Sequence, residues 1–249
     1  VLRRKHETNA VPREGRLGSQ PAGSLFSRCS YRACHTLFSV LSKVLFRAEV
    51  AGAENVPARG RVILASNHRS YADPPLIVGS TVFRPVHFAA KAELFRSRFF
   101  GWLIRNLNAF PVRRSGADRE MLRRALAVLE ADGALLMFPE GTRSKTNELL
   151  PPMSGVGLLA ERSQAPVVPI YIHNSWRILP PGSSMIRPYK LYVCFGKPIP
   201  PPNRPEGKAR SQLHAEFAER VMDDIRCLRA DLLKRIGQNK ERLQDETMS

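Results

Sequence analysis

From Gly60 onward the chain alternates short apolar runs with longer segments whose apolar residues recur every three or four positions. The short runs read as buried strands over 61–66, 86–90, 108–112, 134–137, 167–172 and 190–195. The periodic segments read as helices over 99–107, 118–132, 154–162 and 206–236. In the second, Met121, Leu122, Ala125, Leu126 and Leu129 share one face, and in the third Leu158 and Leu159 point inward. Asp73-Pro74-Pro75 has the form of a helix start, with Asp73 as N-cap and Pro74 at the first helical position. Strands alternating with helices predict an α/β fold, a mixed and mostly parallel sheet flanked by helices.

Before Gly60 the pattern differs. Residues 1–23 are polar, basic and Gly/Pro-spotted, as expected of a disordered arm. Residues 24–47 predict an amphipathic helix with Cys34, Leu37, Leu41, Val44 and Leu45 at helical spacing and Phe38 beside them. Its charges are Arg28, Arg32, Lys43 and Arg47, with no acid. Such a helix suits a membrane surface. It also suits packing on the domain with its cations in water, and both can hold together. The expected partition is a basic arm over 1–23, the amphipathic helix over 24–48, a catalytic domain over 49–238 and a polar tail over 239–249.

Composition narrows the class. The 249 residues are 43% hydrophobic and 24% charged, enough for a real core. The net charge is +17, and residues 204–249 contribute ten basic against nine acidic side chains. The excess therefore lies in the first 203 residues, where it favours polyanions such as nucleic acid, anionic headgroups or phosphorylated substrates. The four cysteines form no C-x-x-C pair, so reduced thiols in a cytosolic setting are expected. No apolar run reaches about 18 residues, and the basic start lacks the apolar core of a signal peptide. A metal is not expected, because the cysteines are scattered and no H-E-x-x-H occurs.

Two motifs carry candidate chemistry. The strand 134–137 runs into Phe138-Pro139-Glu140-Gly141-Thr142-Arg143-Ser144, which places acid, hydroxyl and guanidinium at a strand's carboxyl end. That edge of an α/β sheet is where ligands bind. Upstream, Asn67-His68-Arg69-Ser70-Tyr71-Ala72-Asp73-Pro74 follows another strand. A turn there lets the Asp73 carboxylate fix the tautomer of His68, which leaves the other ring nitrogen as a general base. The bland reading is an N-cap aspartate beside a loop histidine, and the two readings are compatible.

Taken together, these motifs resemble the glycerolipid acyltransferases, specifically the 1-acyl-sn-glycerol-3-phosphate acyltransferases. Phe110-Pro111-Val112-Arg113-Arg114 is similar to the family's second block, and Val168-Pro169-Ile170 to its fourth. Lys91-Ala92-Glu93-Leu94 resembles a frequent element between the first two blocks. The resemblance covers roughly residues 50–200 and implies a glycerolipid-acyltransferase-like fold. It implies His68 as base and Asp73 as its orienting partner. It implies Arg113 or Arg114, with Arg143, as ligands of the glycerol phosphate, guanidinium being suited to phosphate. Glu140, Gly141 and Thr142 would shape the acceptor pocket, and Lys91 would hold phosphate or developing charge.

The implied reaction moves a fatty acyl group from a thioester to the sn-2 hydroxyl of 1-acyl-glycerol-3-phosphate. No cofactor is implied, since acyl-coenzyme A or acyl carrier protein serves as donor substrate. The implied setting is the cytoplasmic face of a membrane, peripheral or monotopic, with an anionic surface as partner. One departure concerns Met153, where the family often has Lys. It leaves open another lysophospholipid or a lyso-aminolipid as acceptor. A basic nucleic-acid-binding module is the distant alternative, though helix-turn-helix, zinc-finger and RNP patterns are missing.

Overall fold

The computed structural model describes residues 25–247 apart from 82–83, 113–116, 147, 184 and 204–208. The arm over 1–23, Arg113 and Arg114 therefore lie outside the described residues. Among the described residues seven strands form one sheet in the order β1-β7-β6-β2-β5-β3-β4. They are β1 (Glu49–Ala51), β2 (Val62–Ser66), β3 (Val86–Lys91), β4 (Ala109–Val112), β5 (Ala134–Met137), β6 (Val167–His173) and β7 (Tyr192–Phe195). All neighbouring pairs are parallel except β6 and β7, so the sheet is mixed and mostly parallel, as the alternation predicts.

The central strands β2, β5 and β6 are apolar along almost their whole length because both faces are covered, with Ser66 and His173 at the carboxyl ends of β2 and β6. Val62 and Leu64 of β2 enter one core layer, Ile63 and Ala65 the other. The first layer is closed by α1 (Leu25–Val44), α2 (Asp73–Ser80) and α3 (Arg98–Asn106), through Tyr31, Cys34, Leu76, Ile77 and Leu103. The second is closed by α4 (Ala117–Glu130), α5 (Gly155–Ser163) and α7 (Arg210–Thr247), through Leu129, Leu159, Phe217, Val221 and Ile225. A short α6 (Ser175–Ile178) follows β6. α1 lies so close on α2 that a Cβ at Gly79 would stand 2.7 Å from the carbonyl carbon of Phe38, which explains a glycine inside that helix.

Four expectations need correction. Cys34 of the expected α1 stripe is buried and Leu41 packs on the core with Phe38, joined by Tyr31, whereas Leu37, Val44 and Leu45 are exposed. Leu158 is half-buried, while Val156, Leu159 and Ala160 fill the core beside it. The last helix continues to Thr247 instead of ending near 236: it runs through Gly237, and no proline follows to stop it. Asp73 is not an N-cap: Ala72 holds that place, in right-handed helical conformation and without a side-chain cap bond. Pro74 and Pro75 offer no N–H, so the Asp73 carboxylate turns back towards the preceding loop instead of forward into the helix. β1, an edge strand of three residues, has no counterpart in the apolar pattern.

Candidate active site

The carboxyl ends of the parallel strands β2, β5 and β3 share one edge of the sheet, and the two motifs meet there. Asn67 follows β2. Its side-chain amide donates to Ile172 O at 3.1 Å and accepts from Ile172 N at 2.8 Å. One residue thereby extends the β2–β6 ladder and frees the next to leave the sheet. That next residue is His68.

The His68 ring is set from two sides. Its Nδ1 lies 2.8 Å from Asp73 Oδ2. The ring stacks on Phe138 with centroids 3.9 Å apart and planes inclined by 18°. Asp73 is fully buried, and its Oδ2 also accepts the N–H groups of Arg69 at 2.7 Å and Ser70 at 2.8 Å. A carboxylate held by three donors is fixed in position, so it fixes the imidazole. With Nδ1–H donated to Asp73, Nε2 of the neutral ring carries the free lone pair. The His68 side chain keeps 17% exposure, whereas Asp73 keeps none.

The second motif braces the first. Glu140 is 4% exposed. Its two oxygens accept from His68 N and from Leu150 N, each at 3.0 Å. Burial pushes the Glu140 carboxyl above its ordinary value, opposed by those two amides and by His68. Ser144 N donates to His68 O at 2.9 Å, so the two loops are sewn together on both sides of the histidine. Gly141 takes a left-handed φ of 65°, and a Cβ there would stand 2.3 Å from Met153 Sδ. Thr142 and Gly141 are exposed, and Arg143 lies with its guanidinium carbon 3.7 Å over the ring of Tyr71. Tyr71 sits between His68 and Asp73 in sequence, which brings Arg143 to the His68–Asp73 loop.

A family model described as "Acyltransferase" matches residues 47–173, the span that runs from β1 to the end of β6 and holds both motifs. The chain belongs to this acyltransferase family. A 1-acyl-sn-glycerol-3-phosphate acyltransferase of Bacillus subtilis is 25% identical over 169 residues, 68% of this chain and 82% of the relative. The enzyme of that name from Saccharomyces cerevisiae is 30% identical over 217 residues, and the chain covers 66% of its length. The crystal structure of the 1-acyl-sn-glycerophosphate acyltransferase PlsC from Thermotoga maritima superposes with a TM-score of 0.64 at 26% identity, covering 82% of this chain and 83% of that one.

In this acyltransferase Lys91 is the last residue of β3, paired in register with Val112 of β4. It reaches the same edge as the His68 loop, two strands away from β2. Sequence reasoning missed Phe138, whose ring is the face on which His68 rests. Its only signal is an aromatic residue directly after a strand and before Pro139. Also unexpected is the surround of His173 at the end of β6. Burial, then the charges of Arg69, Arg177 and Arg229, hold its imidazole down at about 4. Arg69 and Arg177 lie over Trp176 of α6 at 4.8 and 5.3 Å.

Among the described residues no helix is long and apolar enough to cross a membrane. All four cysteines are free, Cys29 and Cys227 exposed, Cys34 and Cys194 buried.

Proposed function

We propose that this acyltransferase esterifies the sn-2 hydroxyl of 1-acyl-glycerol-3-phosphate with a fatty acyl group from a thioester, giving phosphatidate and free thiol. The observation that carries the reading is the His68–Asp73 contact at 2.8 Å, beside a guanidinium at 3.7 Å from the same loop. A thioester is already activated, so the enzyme needs a base and no nucleophile of its own. His68 Nε2 takes the hydroxyl proton as the oxygen attacks the thioester carbonyl carbon. Asp73 stabilises the imidazolium that results. The tetrahedral intermediate collapses with cleavage of the carbon–sulfur bond, and the proton passes from His68 to the departing sulfur.

Arg143 is the described cation best placed for the acceptor phosphate, with Arg113 or Arg114, next in sequence after Val112, as partners. Gly141 and Thr142 shape the pocket wall, and Glu140 holds that wall against the His68 backbone. Lys91 supplies a further cation. The donor is acyl-coenzyme A or acyl carrier protein, a substrate and not a resident cofactor. The excess of positive charge and the amphipathic α1 support a peripheral position on the cytoplasmic face of an anionic membrane.

Met153 favours a second reading. It stands where the family often has Lys, it is 64% exposed, and its sulfur covers Gly141 of the second motif. An apolar group there suits a lysophospholipid or lyso-aminolipid acceptor with less charge near that point. The purified chain, given one acyl thioester and either lysophosphatidate, lysophosphatidylcholine or a lyso-aminolipid, separates the two. Phosphatidate as the main product supports the first reading. Turnover of another acceptor alone replaces it with the second.

A further inference from the structure

The loop between α6 and β7 exposes apolar side chains that the proposed chemistry does not use. Met185 is 66% exposed, Ile186 59% and Tyr189 40%. Single exposed apolar residues are ordinary, but a cluster at one loop tip marks an interaction surface. The tip is held in shape. Arg187 N donates to Ile178 O at 2.8 Å, Tyr189 N donates to Arg187 O at 2.9 Å, and the Arg177 guanidinium lies 5.4 Å over the Tyr189 ring.

This loop adjoins the end of α1. Leu191 N donates to Phe46 O at 2.9 Å, and Arg47 Nη2 donates to Pro188 O at 3.4 Å. α1 carries an open apolar stripe of its own: Leu37, Val40 and Val44, at positions i, i+3 and i+7, with Leu45 beside them. Cations adjoin both patches: Lys43 precedes Val44, Arg47 donates to Pro188 O, Arg177 lies over Tyr189, and Arg187 and Lys190 flank Tyr189 in sequence. Glu49 is the acid among them, and it is paired with Lys190 at 3.2 Å and Arg235 at 3.4 Å. The surface also borders the active site, because Ser70 Oγ, two residues beyond His68, donates to Leu179 O at 2.8 Å.

We infer that the loop tip at Met185, Ile186 and Tyr189 and the exposed stripe of α1 form one docking surface for an anionic lipid bilayer, set beside the strand edge that carries His68. Apolar side chains enter the boundary between headgroups and acyl chains, and the cations around them meet lipid phosphates. A second copy of the chain is the poorer occupant, since an isologous contact would set this basic rim against itself. The inference rests on the proposed lipid acceptor for its purpose: docking turns the catalytic edge towards the phase that holds the substrate.

The test uses the full chain with Met185→Asp and Ile186→Asp together, sedimented with phosphatidylglycerol/phosphatidylcholine vesicles. Losing insertion of the tip weakens vesicle binding roughly tenfold or more. Turnover of a short-chain lysophosphatidate dispersed below its critical micelle concentration stays unchanged. Unchanged vesicle binding overturns the inference, as does equal loss of turnover on the dispersed acceptor, which would report a damaged fold. A concentration-dependent dimer abolished by the double variant would give the surface to a second copy instead. If the unaltered chain binds vesicles through this tip but ignores every lysophosphatidate, the acceptor reading fails and the docking surface stands. As an independent readout, Ile186→Cys in a Cys29→Ser/Cys227→Ser background takes an environment-sensitive bimane label. A blue shift on adding the vesicles is expected. Unshifted emission while the protein sediments with them would place the contact elsewhere.

Discussion

The carboxylate of Glu140 accepts the backbone N–H of His68 at 3.0 Å across 72 residues of chain. Its other oxygen holds Leu150 N. An acid inside the second motif thus serves the backbone of the first, and through it the height at which the imidazole stands.

Glu140→Ala leaves two amides without their acceptor in a buried place. Each such loss costs about 1–3 kcal/mol. The expected outcome is a lower Tm and a lower kcat, with the KM for the acyl donor little changed. Glu140→Gln keeps one accepting oxygen and recovers part of both. Thermal unfolding and steady-state kinetics on the two variants check this. Full activity in Glu140→Ala would remove the brace from the account.

Arg143 tests the acceptor site. A charge-assisted bond to phosphate contributes about 1.5–3 kcal/mol, so Arg143→Ala raises the acceptor KM by roughly one to two powers of ten. Arg143→Lys restores only part, because the ammonium loses the planar fork and the stacking on Tyr71. Acceptor titrations at saturating donor measure it. An unchanged KM would take Arg143 out of the phosphate site.

Asp73→Asn keeps the volume but replaces an anionic acceptor of three donors. Arg69 N, Ser70 N and His68 Nδ1 lose the charge they point at. The variant unfolds at lower temperature, and kcat falls about 10²–10⁴-fold. A normal kcat would show that the carboxylate only shapes the loop.

His173 governs part of the pH dependence of stability. Its folded value of about 4 lies below the ordinary histidine value because of burial first and the charges of Arg69, Arg177 and Arg229 next. Between the two values the unfolded chain binds the proton and the folded chain does not, so stability rises with pH there. Acidification from neutral pH therefore removes stability through that window, and the loss levels off below about 4. His173→Gln, which retains an acceptor for the Tyr171 hydroxyl, flattens the acid limb of Tm against pH. An identical limb in the variant would assign the effect to other groups.

How much of this was readable in the chain depends on the element. β2, β5 and β6 are buried on both faces, so their sequences are bare apolar runs that end at polar or Pro-rich turns. The His68 and Glu140 motifs follow such strands directly, which made their shared edge legible. The orientation of α1 was legible only in part. Cys34, Phe38 and Leu41 meet the core as expected, but Leu37, Val44 and Leu45 match the helical period equally well and are exposed, and periodicity cannot say where the buried stripe ends. Asp73 before two prolines looked like a forward cap, yet the missing proline N–H groups send its carboxylate backwards. The stacking of His68 on Phe138 spans 70 residues of chain and leaves no local mark.

The central claim is that His68 takes the acceptor proton. Acyl transfer to lysophosphatidate by His68→Ala, measured beside its circular dichroism and Tm, tests it most directly. A fold that is retained with turnover reduced about 10²–10⁴-fold and acceptor binding preserved is the predicted result. Turnover close to that of the unaltered chain would contradict it.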